Sequence, residues 1–227
     1  MPSYRQLVDT VERWRRLPGR ERLDRGRRRF ALTFDDGPDP DATPAVLDAL
    51  QAGGARATFF LVGEQVEAHP ELARELVARG HEPALHGFLH VEHDELGAAV
   101  RADLERGRDV LLSATGREPR FVRPPYGRFS DRSHAAAREL GLVPVLWSAW
   151  GGDWEAIGAE RIAELAARDL DDGAIVLLHD SARYASRPSA APTAAALPAL
   201  LDAARAARLS PVTVEEALGA VGPGGSG

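Results

Sequence analysis

Cysteine is absent from all 227 residues, which removes disulfides, thiolate zinc sites, iron–sulfur clusters and a cysteine nucleophile together. Any metal would have to be held by nitrogen and oxygen. Lysine is absent as well, every basic side chain being arginine, and methionine stands only at position 1. Without an amine side chain there is no Schiff-base enzyme, no pyridoxal-phosphate enzyme and no P-loop. The N-terminal stretch MPSYRQLVDTVERWRRLPGR lacks the apolar run of a signal peptide or membrane span. As written, nothing exports the chain, so no integral membrane segment and a cytoplasmic location are expected; a trimmed export signal would leave the same sequence in a secreted protein. Excess positive charge is missing too. With 28 basic against 34 acidic side chains the net charge is −6, which offers no broad field to a phosphate backbone, and nucleic acid is not an expected partner.

What is present is ordinary globular composition, 44% hydrophobic and 27% charged, at a length that one α/β domain fills. Tyr4, Leu7, Val11 and Trp14 recur at helical spacing until Pro18-Gly19. They predict an N-terminal amphipathic helix, followed by a basic, solvated linker to residue 28. Residues 29–219 form the body, and the tail at 220–227 is expected to be disordered. The body alternates β-rich runs with helical patterns, the signature of parallel strands joined by crossover helices. Strands are predicted at 30–34, 57–62, 81–85, 120–123, 143–148, 174–178 and 211–214. Thr43-Pro44 reads as the N-cap and first residue of a helix ended by Gly53-Gly54. Pro70 opens another helix. Leu96, Val100, Leu104 and Leu111 mark one face of a long helix ended by Gly116, and Ile162, Leu165 and Leu170 mark a further one. Residues 181–196 read as a long loop, a length usual for lids and binding segments.

Seven such units can close into a barrel or lie open. Polar residues stand at the C-terminal end of one strand after another: Asp35 and Asp36, His86 and His90, Arg123, Asp153, His179. In a parallel sheet those ends converge on one face, where barrels and doubly wound sheets alike carry their sites.

His86 and His90 flank Gly87-Phe88-Leu89, a spacing that sets two imidazoles on one side of a helical turn or tight loop. They are a candidate metal pair, although satisfied loop histidines share that spacing and His93 could substitute for either; HEXXH is ruled out because no Glu follows His86. Asp35 and Asp36 are adjacent carboxylates after an apolar strand and repel unless a cation or proton reconciles them. A solvated turn would also use Asp-Gly-Pro, but at a polar loop tip. Aspartyl-phosphate phosphotransferases place their acids one residue apart, whereas these touch. Arg123 precedes a rigid Pro124-Pro125 kink, where it can clamp a carboxylate bidentately, and the kink presents the backbone N–H groups of Tyr126 and Gly127. His179 ends an apolar strand, and Asp153 offers a carboxylate to orient it. Singly, these read equally well as a surface arginine, a satisfied histidine and a turn aspartate.

In this order TFDDGP, H-x-x-x-H, RPPYG, DW and LLHD resemble the polysaccharide deacetylase family, the NodB-like carbohydrate esterases of family 4, over about residues 29–219. The resemblance implies a distorted (β/α) barrel of about seven parallel strands rather than an open sheet. It also implies metal-dependent removal of acetyl groups from N-acetylated sugars. By motif, Asp35 resembles the general base, and Asp36, His86 and His90 the metal ligands. Arg123 resembles the brace of the base, His179 the general acid and Asp153 the partner that tunes it. Trp154 and Leu177 would wall the acetyl pocket, Pro124 would lie on the substrate side, and the Tyr126 N–H would face the oxyanion. One Asp and two His suit zinc or cobalt, and the same set suits manganese or iron.

Two positions depart from the family pattern. Gly87 stands where a Ser or Thr hydroxyl commonly ties down the metal loop, which implies weaker metal binding, and Trp150 stands where a second Asp is frequent. The expected substrate is an N-acetylhexosamine-containing saccharide or glycoconjugate. The alternatives are an O-acetyl ester, a small N-acyl metabolite, a non-catalytic saccharide-binding barrel and an iron oxygenase using the same triad. No oligomeric state is assigned.

Overall fold

Strand β1 (Arg29–Asp35) organises the sheet. A computed structural model describes residues 19–219; the expected N-terminal helix and the tail at 220–227 lie outside the described residues. Along one side β1 pairs in parallel with β7 (Ile175–His179). Its other side is shared between β8 (Ser210–Val212), which takes the first half, and β2 (Thr58–Leu61), which takes the second. Beyond β2 lie β3 (Glu82–Leu85), β4 (Phe121–Val122) and β5 (Val143–Pro144), and beyond β7 lies β6 (Ala149–Trp150). All pairings are parallel.

Of the strand expected at 143–148 only Val143–Pro144 forms; the chain then kinks and a second short strand begins at Ala149. The Val145 N–H still donates to the Val122 carbonyl at 2.9 Å, and the Ser148 N–H donates to the Ile175 carbonyl at 3.0 Å. A single segment thus leaves one edge of the curled sheet and arrives at the other, spanning the gap between β5 and β6, which do not pair, in a distorted, incompletely closed barrel.

Alternation along the strands decides what meets inside. On β1, Phe30, Leu32 and Phe34 point outward into the larger apolar cluster beneath the helices. Ala31 points inward with Phe60, Ala84, Phe121, Val145 and Ile175. Continued by twos, the inward parity runs through Thr33 to Asp35, from Ala84 to His86, from Phe121 to Arg123, and through Leu177 to His179. Register sets Asp35 directly beside His179.

The outer layer holds α1 (Thr43–Gly53), α2 (Gly63–Ala68), α3 (Pro70–Ala78), α4 (His93–Leu96), α5 (Val100–Thr115), α6 (Asp131–Glu139), α7 (Ala159–Arg168), α8 (Ala191–Ala206) and α9 (Val214–Leu218). Buried stripes such as Val46, Leu47 and Leu50 on α1 and Val100, Leu104 and Leu111 on α5 face the sheet. Truncating one of these leucines to alanine costs about 2–5 kcal/mol.

Several expectations change. Thr43 is not the cap of α1; Ala42 is, and the Thr43 hydroxyl goes to Asp180 instead. The long helix predicted from Leu96 is broken by a 3-10 turn at Gly97–Ala99. The loop predicted to reach residue 196 ends at 190, because Pro192 sits in the first turn of α8, where its missing N–H is no loss. The last strand stops at Val212, since Thr213 caps α9 by accepting the Glu216 N–H. Residues 20–23, read as solvated linker, are stitched to the barrel: the Arg20 N–H donates to the Pro144 carbonyl, the Leu23 N–H donates to the Gly173 carbonyl, and Leu23 is buried.

Candidate active site

Two consecutive acids on a continuing strand would face opposite ways. Asp36 escapes this by adopting φ +81, a conformation that side-chain-bearing residues rarely take and that tends to occur at functional sites. Both carboxylates therefore reach the same cavity. Asp36 Oδ1 lies 3.1 Å from His90 Nε2 and 3.4 Å from His86 Nε2, and the three residues present donor atoms all within 4.8 Å of one another. Asp36 is buried, which opposes its charge, yet the adjacent His86 and His90 rings and the nearby His179 hold its carboxyl well below the usual carboxylate range.

His86 Nδ1 lies 2.8 Å from the Arg123 carbonyl, which fixes the ring with N–H on that side and leaves the Nε2 lone pair facing Asp36. The donor set is therefore chemically apt for a divalent cation: two imidazole nitrogens, one carboxylate, buried and convergent.

The backbone between the two histidines is tied from two helices although residue 87 carries no hydroxyl. The amides of Gly63 and Glu64, at the start of α2, donate to the carbonyls of Gly87 and Phe88, each at 2.9 Å. Asp103, on α5, accepts the Phe88 N–H at 2.9 Å and the Leu89 N–H at 3.0 Å. Gly87 itself has φ +85, and a Cβ there would stand 3.0 Å from the Leu89 carbonyl oxygen and 3.2 Å from Asp103. The loop is held by a carboxylate from a neighbouring helix, an arrangement a side chain at 87 would strain.

Arg123 is fully buried. Its Nη1 donates to Asp35 Oδ1 at 2.6 Å and to the Thr33 hydroxyl at 2.9 Å, while its other nitrogens serve the Val145 and Leu146 carbonyls. The expected bidentate clamp is thus a contact to one oxygen. The remaining donors pin the kink that spans the two sheet edges, and Asp35 Oδ2 is turned toward the ligand cluster, 3.9 Å from His86 Nε2.

Across the cavity, Asp153 accepts the His179 N–H at 2.8 Å and pairs with His179 Nδ1 at 2.9 Å. Burial disfavours a charged ring, but the Asp153 charge and hydrogen bond, joined by Asp36 and Asp35, raise His179 to about 9. Thr193 donates to Asp153 at 2.7 Å, and Arg187 stands 3.6 Å away. Asp180, next to His179, accepts the Thr43 hydroxyl at 2.6 Å, and burial pushes its carboxyl up to about 7.

These groups surround one cavity of about 260 Å³, lined by Asp35, Asp36, His86, His90 and His179 and walled by Tyr126, Trp147, Trp150, Trp154, Leu177 and Tyr184. Pro124 does not line it; its carbonyl accepts the Gly127 N–H at 2.9 Å to shape the turn that presents Tyr126. Gly127 is required there, because a Cβ would come within 2.5 Å of the Trp147 ring. His93 is buried nearby but does not join the three-residue cluster. Asp103, Trp147, Tyr184 and Arg187 were not expected at the site. Only Asp103 left a trace in the sequence, as the one acid within the buried stripe of α5.

Known proteins bear on this geometry. The polysaccharide deacetylase family profile matches residues 22–145. The chain is 37% identical over 197 residues to a peptidoglycan-N-acetylglucosamine deacetylase of Bacillus cereus, covering 83% of this chain and 87% of that protein. It is 38% identical over 154 residues to a chitooligosaccharide deacetylase of Sinorhizobium fredii, covering 66% and 70%. A crystal structure of a family 4 carbohydrate esterase from Streptomyces lividans in complex with acetate superposes with a TM-score of 0.74 at 30% identity, over 82% of this chain and 92% of that one. A family-wide match over more than half the sequence, on a shared barrel, leaves one reading: the chain belongs to the polysaccharide deacetylase family.

Proposed function

We propose that this protein hydrolyses the N-acetyl group of N-acetylhexosamine units in saccharides or glycoconjugates, with a divalent cation, zinc by preference, held by Asp36, His86 and His90. The observation that carries the reading is the single cavity in which Asp35 and that ligand set face His179. The substrates named for the Bacillus and Sinorhizobium relatives agree with it.

A bound dication supplies Lewis acidity and makes water acidic enough to attack near neutral pH. Asp35, oriented by Arg123 through one oxygen, takes the proton as water attacks the acetyl carbon. The Tyr126 N–H, in the turn at Pro125–Gly127, would face the oxygen that gains charge. His179, kept protonated by Asp153, delivers a proton to the departing amine, which otherwise leaves too poorly to expel. Leu177 and Trp154 offer the acetyl methyl an apolar wall, and Trp150, edge-on to Trp154 with ring centroids 5.8 Å apart, extends that wall toward the sugar.

The test is acetate release from chitooligosaccharides, peptidoglycan fragments and acetylated xylan, before and after chelation and with zinc restored. Release from the N-acetylated sugars that chelation abolishes and zinc restores is expected. Release from xylan alone would replace the reading by O-acetyl esterase, and release from none would overturn it.

A further inference from the structure

The two histidines are held differently. His86 is fixed by a hydrogen bond from its second ring nitrogen to a backbone carbonyl. His90 has no such anchor: its Nδ1 is buried and has no hydrogen-bond partner among the described residues. A metal-binding imidazole ordinarily relies on that second nitrogen for its orientation, so something else must hold the ring.

Tyr184 meets the requirement. Its ring lies face to face with the His90 imidazole, centroids 4.0 Å apart and planes 6° from parallel. Tyr126 meets the same imidazole edge-on at 4.8 Å. The Tyr184 hydroxyl donates to Glu64 at 2.7 Å and accepts from Gln65 at 3.0 Å. Both partners sit on α2, the helix whose first amides hold the Gly87 and Phe88 carbonyls. One helix thus grips the ligand loop by its backbone and the stacking ring by its hydroxyl.

The segment that carries Tyr184 is itself tied to the opposite wall. Arg187 donates to the carbonyls of His179 and Ser181 at 3.1 and 3.0 Å, and the Ser186 N–H donates to the Trp154 carbonyl at 3.0 Å. The ring is held at both ends, as a stack must be if it is to fix another ring in place.

We infer that Tyr184 is the positioning residue of the second metal ligand: its stacked ring sets the plane of His90 and so sets the affinity for the cation. The inference rests on the metal site proposed above. Its test is the zinc affinity of the full-length protein by competition with a chromophoric chelator, together with the visible absorption of the cobalt-loaded protein. Tyr184→Ala should weaken zinc about tenfold to a hundredfold and alter the cobalt band. Tyr184→Phe, which keeps the ring but loses the hydroxyl contacts to Glu64 and Gln65, should fall between the alanine variant and the wild type, weakening zinc by less than about tenfold. If the alanine variant does not fold, Tyr184→Leu, which fills space without a ring face, takes its place with the same expectation. Unchanged zinc affinity and cobalt band on losing the ring would overturn the inference, as would a phenylalanine variant as weak as the alanine. A wild type that binds no zinc would instead overturn the metal reading beneath it.

Discussion

His179 and Asp153 are joined twice, ring to one carboxylate oxygen and backbone N–H to the other. The double contact fixes the tautomer as well as the position of the imidazole, and its charge holds the ring protonated up to about 9. An acid must be protonated to act, so activity should fall as pH rises through that value. Asp153→Asn removes the raising charge and leaves burial to dominate, so the alkaline limb of the kcat/KM profile should move down by more than about one pH unit. At pH 8 the rate should fall with the protonated fraction, by about twofold for a shift of about one unit and about tenfold for a shift of about two. An unmoved alkaline limb would show that another group sets it.

Base and ligand separate by substitution. Asp35→Asn keeps the size of the side chain and the ligands Asp36, His86 and His90 untouched, so zinc content by elemental analysis should stay near the wild type while acetate release falls by about 10²–10⁴-fold. His86→Ala should lose both, because a donor atom is removed outright. An asparagine variant that turns over normally would exclude Asp35 as base.

Polar residues at successive strand ends made the positions of the site legible, whereas a barrel rather than an open sheet came only from the family resemblance of the motifs. Asp35, His86, Arg123 and His179 each follow an apolar run, and parallel strands bring such ends together whatever their separation in sequence. The kink at 143–150 was not legible, because VPVLWS is an unbroken apolar run and only the hydrogen bonds of Val145 and Ser148 reveal two partners. The path of the Asp103 carboxylate back to the ligand loop was hidden too, since no rule of spacing joins a helix residue to a loop 14 or 15 positions earlier. Tyr184 was equally silent. A tyrosine in a loop states nothing about which ring it covers.

Gly87 and Asp103 form a matched pair. Asp103→Ala leaves the Phe88 and Leu89 amides without their acceptor, so the ligand loop should loosen and zinc affinity should fall about tenfold or more, with the barrel otherwise intact. Gly87→Ser, which would bring in the hydroxyl that the family resemblance leads one to expect there, should not tighten the site. The positive φ and the close Leu89 carbonyl make it destabilising by about 1 kcal/mol or more. Zinc competition and thermal melting of the two variants check both statements. A serine variant with tighter zinc would show that the loop needs the hydroxyl after all.

At the other end of the barrel Glu82 is buried, accepting the Thr58 hydroxyl and the Glu215 N–H. Burial outweighs those bonds and pushes its carboxyl from the ordinary 4.5 up to about 7. A folded-state value above the unfolded one means that the native protein holds its proton longer. The stability gained is therefore fully present below about 4.5 and is lost as pH rises through about 7. The difference of about 2.5 pH units corresponds to about 3 kcal/mol between the two limits. Glu82→Gln cannot ionise, so whatever its amide costs is the same at every pH. Measured by chemical denaturation from pH 4 to pH 9, the variant should gain steadily on the wild type across this window and hold a constant margin above it. A margin that does not change with pH would mean that Glu82 is already ionised in the acidic range and that its surroundings solvate the charge far better than a buried position with two donors can.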